Sequence, residues 1–328
     1  MTSAAGPGPT LDGRSIAVTG AAGFIGCHVV AELERCGARV LAIDSDPGWR
    51  EPLLEALARD RVEMIATGHH WPYPEASFDL LDSQLAVETI VHLAYAVPRT
   101  DNLLDVWQQE VAANLLPTVA LFEALPDSVE QVLFASTALV YGHTRRGPLC
   151  ESLPPQPDSA YAQTKAAVEC CLSQWAEETG RSATSLRLAT VYGPTETVPR
   201  AIPNFIRRLL DGRAPQVAVA GDVRDYIHVA DVARAVARSV AHPSEHSVLN
   251  VGTGRSTRTD NLAELIAATL GSDLEPEVDD AARSPIEVVV DPRRISEATG
   301  FTATIGLADG LAGEIDWFAA RPELWASC

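Results

Sequence analysis

The stretch that most constrains this chain is residues 15–26, where a β-branched run, SIAVT, runs into Gly20, Gly23 and Gly26 and then into a helical pattern over 24–36. Strand, tight turn and helix in that order predict a buried first strand. Glycines there let backbone N–H groups and the helix N-terminus approach a pyrophosphate closely. Taken alone, the same glycines also suit a plain turn. A second apolar run at 39–43 closes on Asp44, about twenty residues past the glycines, where a carboxylate can accept the ribose hydroxyls of a dinucleotide and repel a 2′-phosphate. A surface loop acid is the competing reading. With both features in place, the chain is expected to bind NAD in preference to NADP.

Short apolar runs at 62–65, 89–93, 131–135 and 182–188 alternate with helical stretches at 103–125 and 161–178. Near-continuous apolar strands joined by helices are the pattern of a buried parallel sheet. The expected fold is therefore a Rossmann-type, doubly wound α/β sheet. A Gly/Pro-rich tail at 1–12 precedes the cofactor domain at 13–192, and 193–328 is expected to be mainly a smaller, interleaved C-terminal lobe that binds substrate. Elements near 224–252 are expected to return to the first domain. Within the lobe we read a loop at 194–203, a helix at 204–210, a strand at 216–220, a helix at 229–240, a helix capped by Asp260 and ending near Leu270, and a strand at 286–290. The aromatic segment 69–74, HHWPYP, fits none of these elements.

Charge and cysteine usage exclude several partners. Asp and Glu number 44 against 25 Lys and Arg, and a net charge of −19 repels nucleic acid and anionic membranes. No apolar run approaches the ~18 residues of a membrane helix, and the start of the chain has no signal-peptide pattern, so a cytoplasmic location is expected. The six cysteines form no C-x-x-C pair and no metal spacing with His. Reduced thiols and no metal are the expectation.

Lys165 is the only lysine in the chain; the other basic residues are all arginine. In Tyr161-Ala-Gln-Thr-Lys165 the phenol and the amine lie at i and i+4, on one helix face, where an ammonium helps to stabilise a phenolate. A phenol of pKa about 10 is a weak base near neutrality without such help. Isolated Y-x-x-x-K is common at surfaces. Use of the only lysine here, soon after Ser136-Thr137-Ala138-Leu139-Val140-Tyr141-Gly142, favours the chemical reading.

These motifs together resemble the extended short-chain dehydrogenase/reductase family, in its NAD-dependent epimerase/dehydratase branch of nucleotide-sugar enzymes, over most of residues 15–300. The resemblance implies that Gly20, Gly23, Phe24, Ile25 and Gly26 line the cofactor, with Asp44, Ala94, Asn114, Tyr161 and Lys165. It makes Thr137, Tyr161 and Lys165 catalytic, with Ser136 beside Thr137 on the substrate. Arg187-Leu-Ala-Thr190 is similar to the family's R-x-x-N, with Thr190 in place of the Asn that contacts substrate. Arg224, in RDYIHVAD, is implied to pair bidentately with the diphosphate, an ion pair with an acid such as Asp231 being the other reading. Arg283 is implied as a second diphosphate contact, and Asn250-Val-Gly-Thr-Gly254 as a structural turn. The family's Asp after the third strand has no clear counterpart, Asp79 being the candidate. Homodimerisation through 103–125 and 161–178 is also implied.

After Thr137 the 4,6-dehydratases of this family carry Asp-Glu and the sugar-acid decarboxylases a Glu, whereas this chain has Ala138 and Leu139. The expected activity is therefore epimerisation of a nucleotide-diphosphate sugar at C4 through a transient 4-keto sugar. A ketoreductase using external NAD(P)H would employ the same site. A dehydratase or decarboxylase working through Glu151 or Cys150, and a non-catalytic NAD-binding sensor, complete the alternatives.

Overall fold

The computed structural model describes residues 8–45, 61–66, 86–98, 100, 102–278 and 284–324. Asp79, Arg283 and the aromatic segment 69–74 lie outside the described residues. Seven strands, β1 (Ser15–Thr19), β2 (Arg39–Asp44), β3 (Val62–Ala66), β4 (Thr89–His92), β5 (Gln131–Thr137), β6 (Ser182–Leu188) and β7 (Val248–Val251), form one sheet. Their order is β7-β6-β5-β4-β1-β2-β3, and every pair is parallel. The strand order reverses between β1 and β4, so a crevice opens beyond their C-terminal ends, the place where such sheets bind ligands.

Both faces of the sheet are covered, which is why its strands read as unbroken apolar runs. On one face α1 (Phe24–Arg35) brings Val29, Val30 and Leu33, beside Val232 and Val236 of the helix Val229–Ala241, onto Ile16 and Val18. On the other, Leu121, Phe122, Val168 and Leu172 pack on Ile90, Val132 and Phe134. A separate core holds the C-terminal lobe. There Phe205 and Ile206, Leu262 and Ile266, and Leu311 and Phe318 meet between the helices Ala201–Leu210, Thr259–Thr269 and Leu307–Ala319. The other strands of the lobe are short, such as Gln216–Val217 and Glu287–Val288, and form small sheets of two or three strands.

The helix read at 204–210 starts at Ala201, within the loop read at 194–203, and the strands read at 216–220 and 286–290 shorten to Gln216–Val217 and Glu287–Val288. Two further elements differ in kind. The helix expected at 103–125 is broken into α2 (Leu103–Glu110) and α3 (Leu116–Glu123) by a π-helical turn, Val111–Leu115. Pro117 has no N–H for the carbonyl of Ala113, so the regular ladder cannot run through. Asp260 does not cap its helix: Arg258 holds that position without a side-chain bond, and Asp260 in the first turn accepts from Arg258 Nε at 3.0 Å. The N–H of Thr259 bonds Asp222 O at 2.8 Å, which sets the helix start ahead of Asp260. Among the described residues no helix is long and apolar enough to cross a membrane.

Candidate active site

The cofactor end is built from backbone. Gly20, at φ +70°, lies so close to the β4 loop that a Cβ there would sit 2.7 Å from Ala94 N. At Gly26 a Cβ would overlap the carbonyl oxygen of Gly20, so α1 can rest on the turn only with glycine at this position. Gly23 is the N-cap of α1 and offers no side chain, which leaves the first-turn N–H groups of Phe24, Ile25 and Gly26 without intrahelical partners. Such a terminus receives a phosphate. Asp44, at the end of β2, accepts from Ala22 N at 2.8 Å and so stands against the same turn.

A buried relay links this turn to the next strand. Ala94 N donates to Thr19 Oγ1 at 3.4 Å, and Thr19 Oγ1 lies 2.7 Å from His92 Nδ1. Thr118 gives its proton to Asn114 O at 2.6 Å, so His92 Nε2 must be the donor to Thr118, 3.0 Å away, and Nδ1 the acceptor from Thr19. Burial, then the charge of Lys165, pushes His92 down to about 3, which keeps the imidazole neutral. At the far end Asn114 reads the backbone of Ala96 twice, accepting from its N–H at 2.7 Å and donating to its oxygen at 3.0 Å. The loop after β4 is thereby held at both ends.

The chemical groups project from α4 (Ala160–Thr179) and the end of β5. Ser159 caps α4 by accepting from Ala162 N at 3.3 Å, so Tyr161 and Lys165 occupy its first turns. Burial raises the pKa of the Tyr161 phenol, and the neighbouring Thr137 side chain opposes the rise. Lys165 Nζ donates to Ala135 O at 2.8 Å and lies over the rings of Phe134 at 4.7 Å, Tyr95 at 5.0 Å and Tyr161 at 6.0 Å. Burial lowers Lys165 to about 8, against the opposing pull of Glu110 and Glu169. Glu110, which the sequence reading did not single out, is buried on α2 and takes hydrogen bonds from the Tyr95 hydroxyl and from Asn114 Nδ2, the latter at 3.1 Å. Its i, i+4 spacing from Asn114 is the signal that marks the pair.

A cleft of about 520 Å³ runs from Thr137 and Tyr161 into the lobe. Thr137, Tyr161, Thr190, Glu196, Arg200 and Arg224 line it, which brings together residues 87 positions apart in the chain. Ser136 borders the cleft too, but its hydroxyl donates to Glu169, itself paired with Arg187 at 2.6 Å. Side chains alternate across a strand, so Ser136 and Thr137 cannot both face the same way. Arg224 is not paired with Asp231, whose carboxylate instead meets Arg234 and the N–H groups of Thr304 and Ile305. Asp225, fully buried, accepts from Thr253 N at 3.0 Å and Gly254 N at 2.9 Å and so ties down the 250–254 turn. Glu151 and Cys150 do not line the cleft. Glu151 bonds Asn250 N at 2.9 Å and Cys150 Sγ lies 3.1 Å from Ser152 Oγ. Sequence spacing missed Glu196, because nothing local marks an acid in an irregular loop.

A glycine turn at the switch point of a parallel sheet, with a Tyr–Lys pair one strand away, defines a dinucleotide-dependent enzyme acting on a second ligand in the cleft. Residues 16–252 match the model of the NAD dependent epimerase/dehydratase family, and the chain belongs to that family. It is 31% identical to the UDP-glucose 4-epimerase of Mycolicibacterium smegmatis over 318 residues, 93% of this chain and 99% of the relative. It is 28% identical to a dTDP-glucose 4,6-dehydratase of Actinoplanes over 329 residues, 94% of this chain and 99% of that one. The crystal structure of UDP-glucose 4-epimerase from Thermotoga maritima with UDP-glucose superposes with a TM-score of 0.81 at 27% identity, covering 94% of this chain and 99% of that one. The chain is an NAD-dependent enzyme of the nucleotide-sugar epimerase/dehydratase family.

Proposed function

We propose that the chain epimerises a nucleotide-diphosphate sugar at C4. The observation that carries this reading is the Thr137–Tyr161–Lys165 group at the cleft, followed along the chain by Ala138 and Leu139 where an eliminating acid would stand. The first-turn amides of α1 and the space kept by Gly20 and Gly26 fit a pyrophosphate, and Asp44 fits the adenosine ribose. NAD held there supplies a reversible hydride acceptor. Tyr161 takes the proton of the 4-hydroxyl while Thr137 holds its oxygen, and the Lys165 ammonium favours the phenolate. The 4-keto sugar turns its other face, Tyr161 returns the proton, and no cofactor is consumed. Thr190 and Arg224 are assigned to the substrate, Arg224 to its diphosphate.

A second reading, 4,6-dehydration, is favoured by the dehydratase relative and by Glu196, a carboxyl bordering the cleft. Incubation with UDP-glucose, UDP-galactose and dTDP-glucose, followed by NMR, separates the two: an epimer of unchanged mass supports the proposal, and a product lacking one water replaces it. Tyr161→Phe is expected to lose turnover by about a thousandfold while still releasing NAD on denaturation. Ordinary turnover in that variant overturns the assignment. We also propose a homodimer through α2, α3 and α4, since Leu104 and Leu116 are 73% and 59% exposed there. Sedimentation at the mass of one protomer would remove it.

A further inference from the structure

Across the cleft from Thr137 the lobe places a charged group that none of the motifs above contains. Glu196, 1% exposed, follows the strand Thr190–Tyr192, and its Oε1 lies 2.5 Å from Nη2 of Arg200. Both side chains line the cleft, and the Arg200 charge reaches the Tyr161 phenol. Behind them the C-terminal helix brings up Glu314, fully buried and close enough to Glu196 for the two carboxyls to repel. Burial and that repulsion push Glu314 up to about 9, so it is neutral near pH 7. Glu196 is the partner that ionises. Its own burial pushes it up to about 7, while Arg200 and, more weakly, Arg207 of the helix Ala201–Leu210 pull it down. Tyr226 is the other titratable group that feels Glu196.

The chemistry of this arrangement discriminates between sugars. A guanidinium in a cleft is the natural partner of a ligand carboxylate. Here it is already engaged. A ligand carboxylate that drew Arg200 away would leave Glu196 as a buried, unpaired anion, which is strongly unfavourable. Hydroxyl groups ask for no such exchange, because they can bond the pair as it stands.

We propose that the Glu196–Arg200 pair selects the charge of the sugar: paired, it admits a neutral hexose, and it admits a hexuronate only when Glu196 has taken up a proton and released the guanidinium. The inference rests on the nucleotide-sugar reading above. Binding of a uronate is thus coupled to uptake of one proton at Glu196, and binding of a neutral hexose is not.

The test compares UDP-glucose with UDP-glucuronate on the NAD-loaded enzyme from about pH 6 to about pH 9, the shared carrier cancelling any preference for the nucleotide. Calorimetric Kd and kcat/KM are both read. The wild type is expected to favour UDP-glucose, by a ratio that climbs about tenfold per pH unit above Glu196's own pKa. Glu196→Gln is expected to flatten that dependence and to bring UDP-glucuronate in about tenfold more tightly. Arg200→Leu, which removes the guanidinium at the half-exposed end of the pair, should lose UDP-glucuronate at every pH. A pH-independent ratio in the wild type, an unchanged ratio in Glu196→Gln, or a wild type that prefers the uronate throughout would overturn the proposal. If the wild type neither binds nor converts either sugar while still carrying NAD, the nucleotide-sugar reading fails and the selector fails with it.

Discussion

The two ends of the cleft are built in opposite ways. At the end proposed for the cofactor, the turn is made mostly of backbone amides and missing side chains, Gly20, Gly23 and Gly26, with the Asp44 carboxylate against it. At the end proposed for the sugar, the cleft is lined by long side chains, Glu196, Arg200 and Arg224, carried on a loop, a helix N-cap and a two-residue strand of the lobe. Backbone recognition tolerates almost no substitution, because any Cβ fills the space. Side-chain recognition is adjustable, since a change of charge or length alters what is accepted without altering the fold. One molecule can thereby keep its cofactor while its substrate drifts.

Three variants probe this contrast, in order of expected effect. Gly26→Ala should be the most damaging, because the new methyl group meets the Gly20 carbonyl and α1 must move; a loss of about 1–3 kcal/mol in urea denaturation and a strongly reduced NAD content after purification are expected. Full NAD content in this variant would break the contrast from the cofactor side.

Glu314→Gln should act oppositely, as a gain. The carboxyl of Glu314 ordinarily ionises near 4.5 and is pushed up to about 9 in the fold, so the native state holds a proton that the unfolded chain releases. Stability associated with this group is fully present below about 4.5 and is lost as pH rises toward 9. Relative to wild type, Glu314→Gln should therefore raise Tm by several degrees at pH 8 and by little at pH 4. An equal effect at both values would show that the carboxyl acts by packing alone.

Glu110→Gln sharpens the boundary between the two ends. Removing this negative charge should lower Lys165 further below about 8, so the alkaline limb of kcat/KM, where the ammonium loses its proton, moves to lower pH by a few tenths of a unit. An unmoved limb with reduced activity would mean that Glu110 only holds Tyr95 and Asn114 in place.

The contrast also explains what could be read before folding. The central strands of the main sheet announce themselves because they are buried on both faces, β1 having no exposed residue at all, whereas the edge strand β3 has no fully buried residue and β7 was not read as a strand. The glycine turn and the Tyr161–Lys165 pair are legible because their function depends on spacing along one element. Thr137 was legible through the family's strand-end motif, and alternation along β5, which that motif did not convey, turns the Ser136 hydroxyl to Glu169 although the residue borders the cleft. The break at Val111–Leu115 had a local cue in Pro117, outweighed by the apolar periodicity around it. Glu196, Arg200 and Glu314 had none. Glu196 and Glu314 meet only because the C-terminal helix folds back against the strand Thr190–Tyr192, and no sequence period spans such a contact.

The solitary lysine has a practical consequence for anyone holding the pure protein. Lys165 is 5% exposed, so the chain offers amine-directed reagents a single, buried ε-amine, its Nζ 6.0 Å from the Tyr161 ring centre. Acylation there is a one-address titration, and its slowing by added ligands converts a routine mass measurement into a gauge of occupancy. A lysine-specific protease cuts the unmodified, unfolded chain once, within α4, and leaves the acylated chain whole, so cleavage itself reports whether Lys165 carries the group.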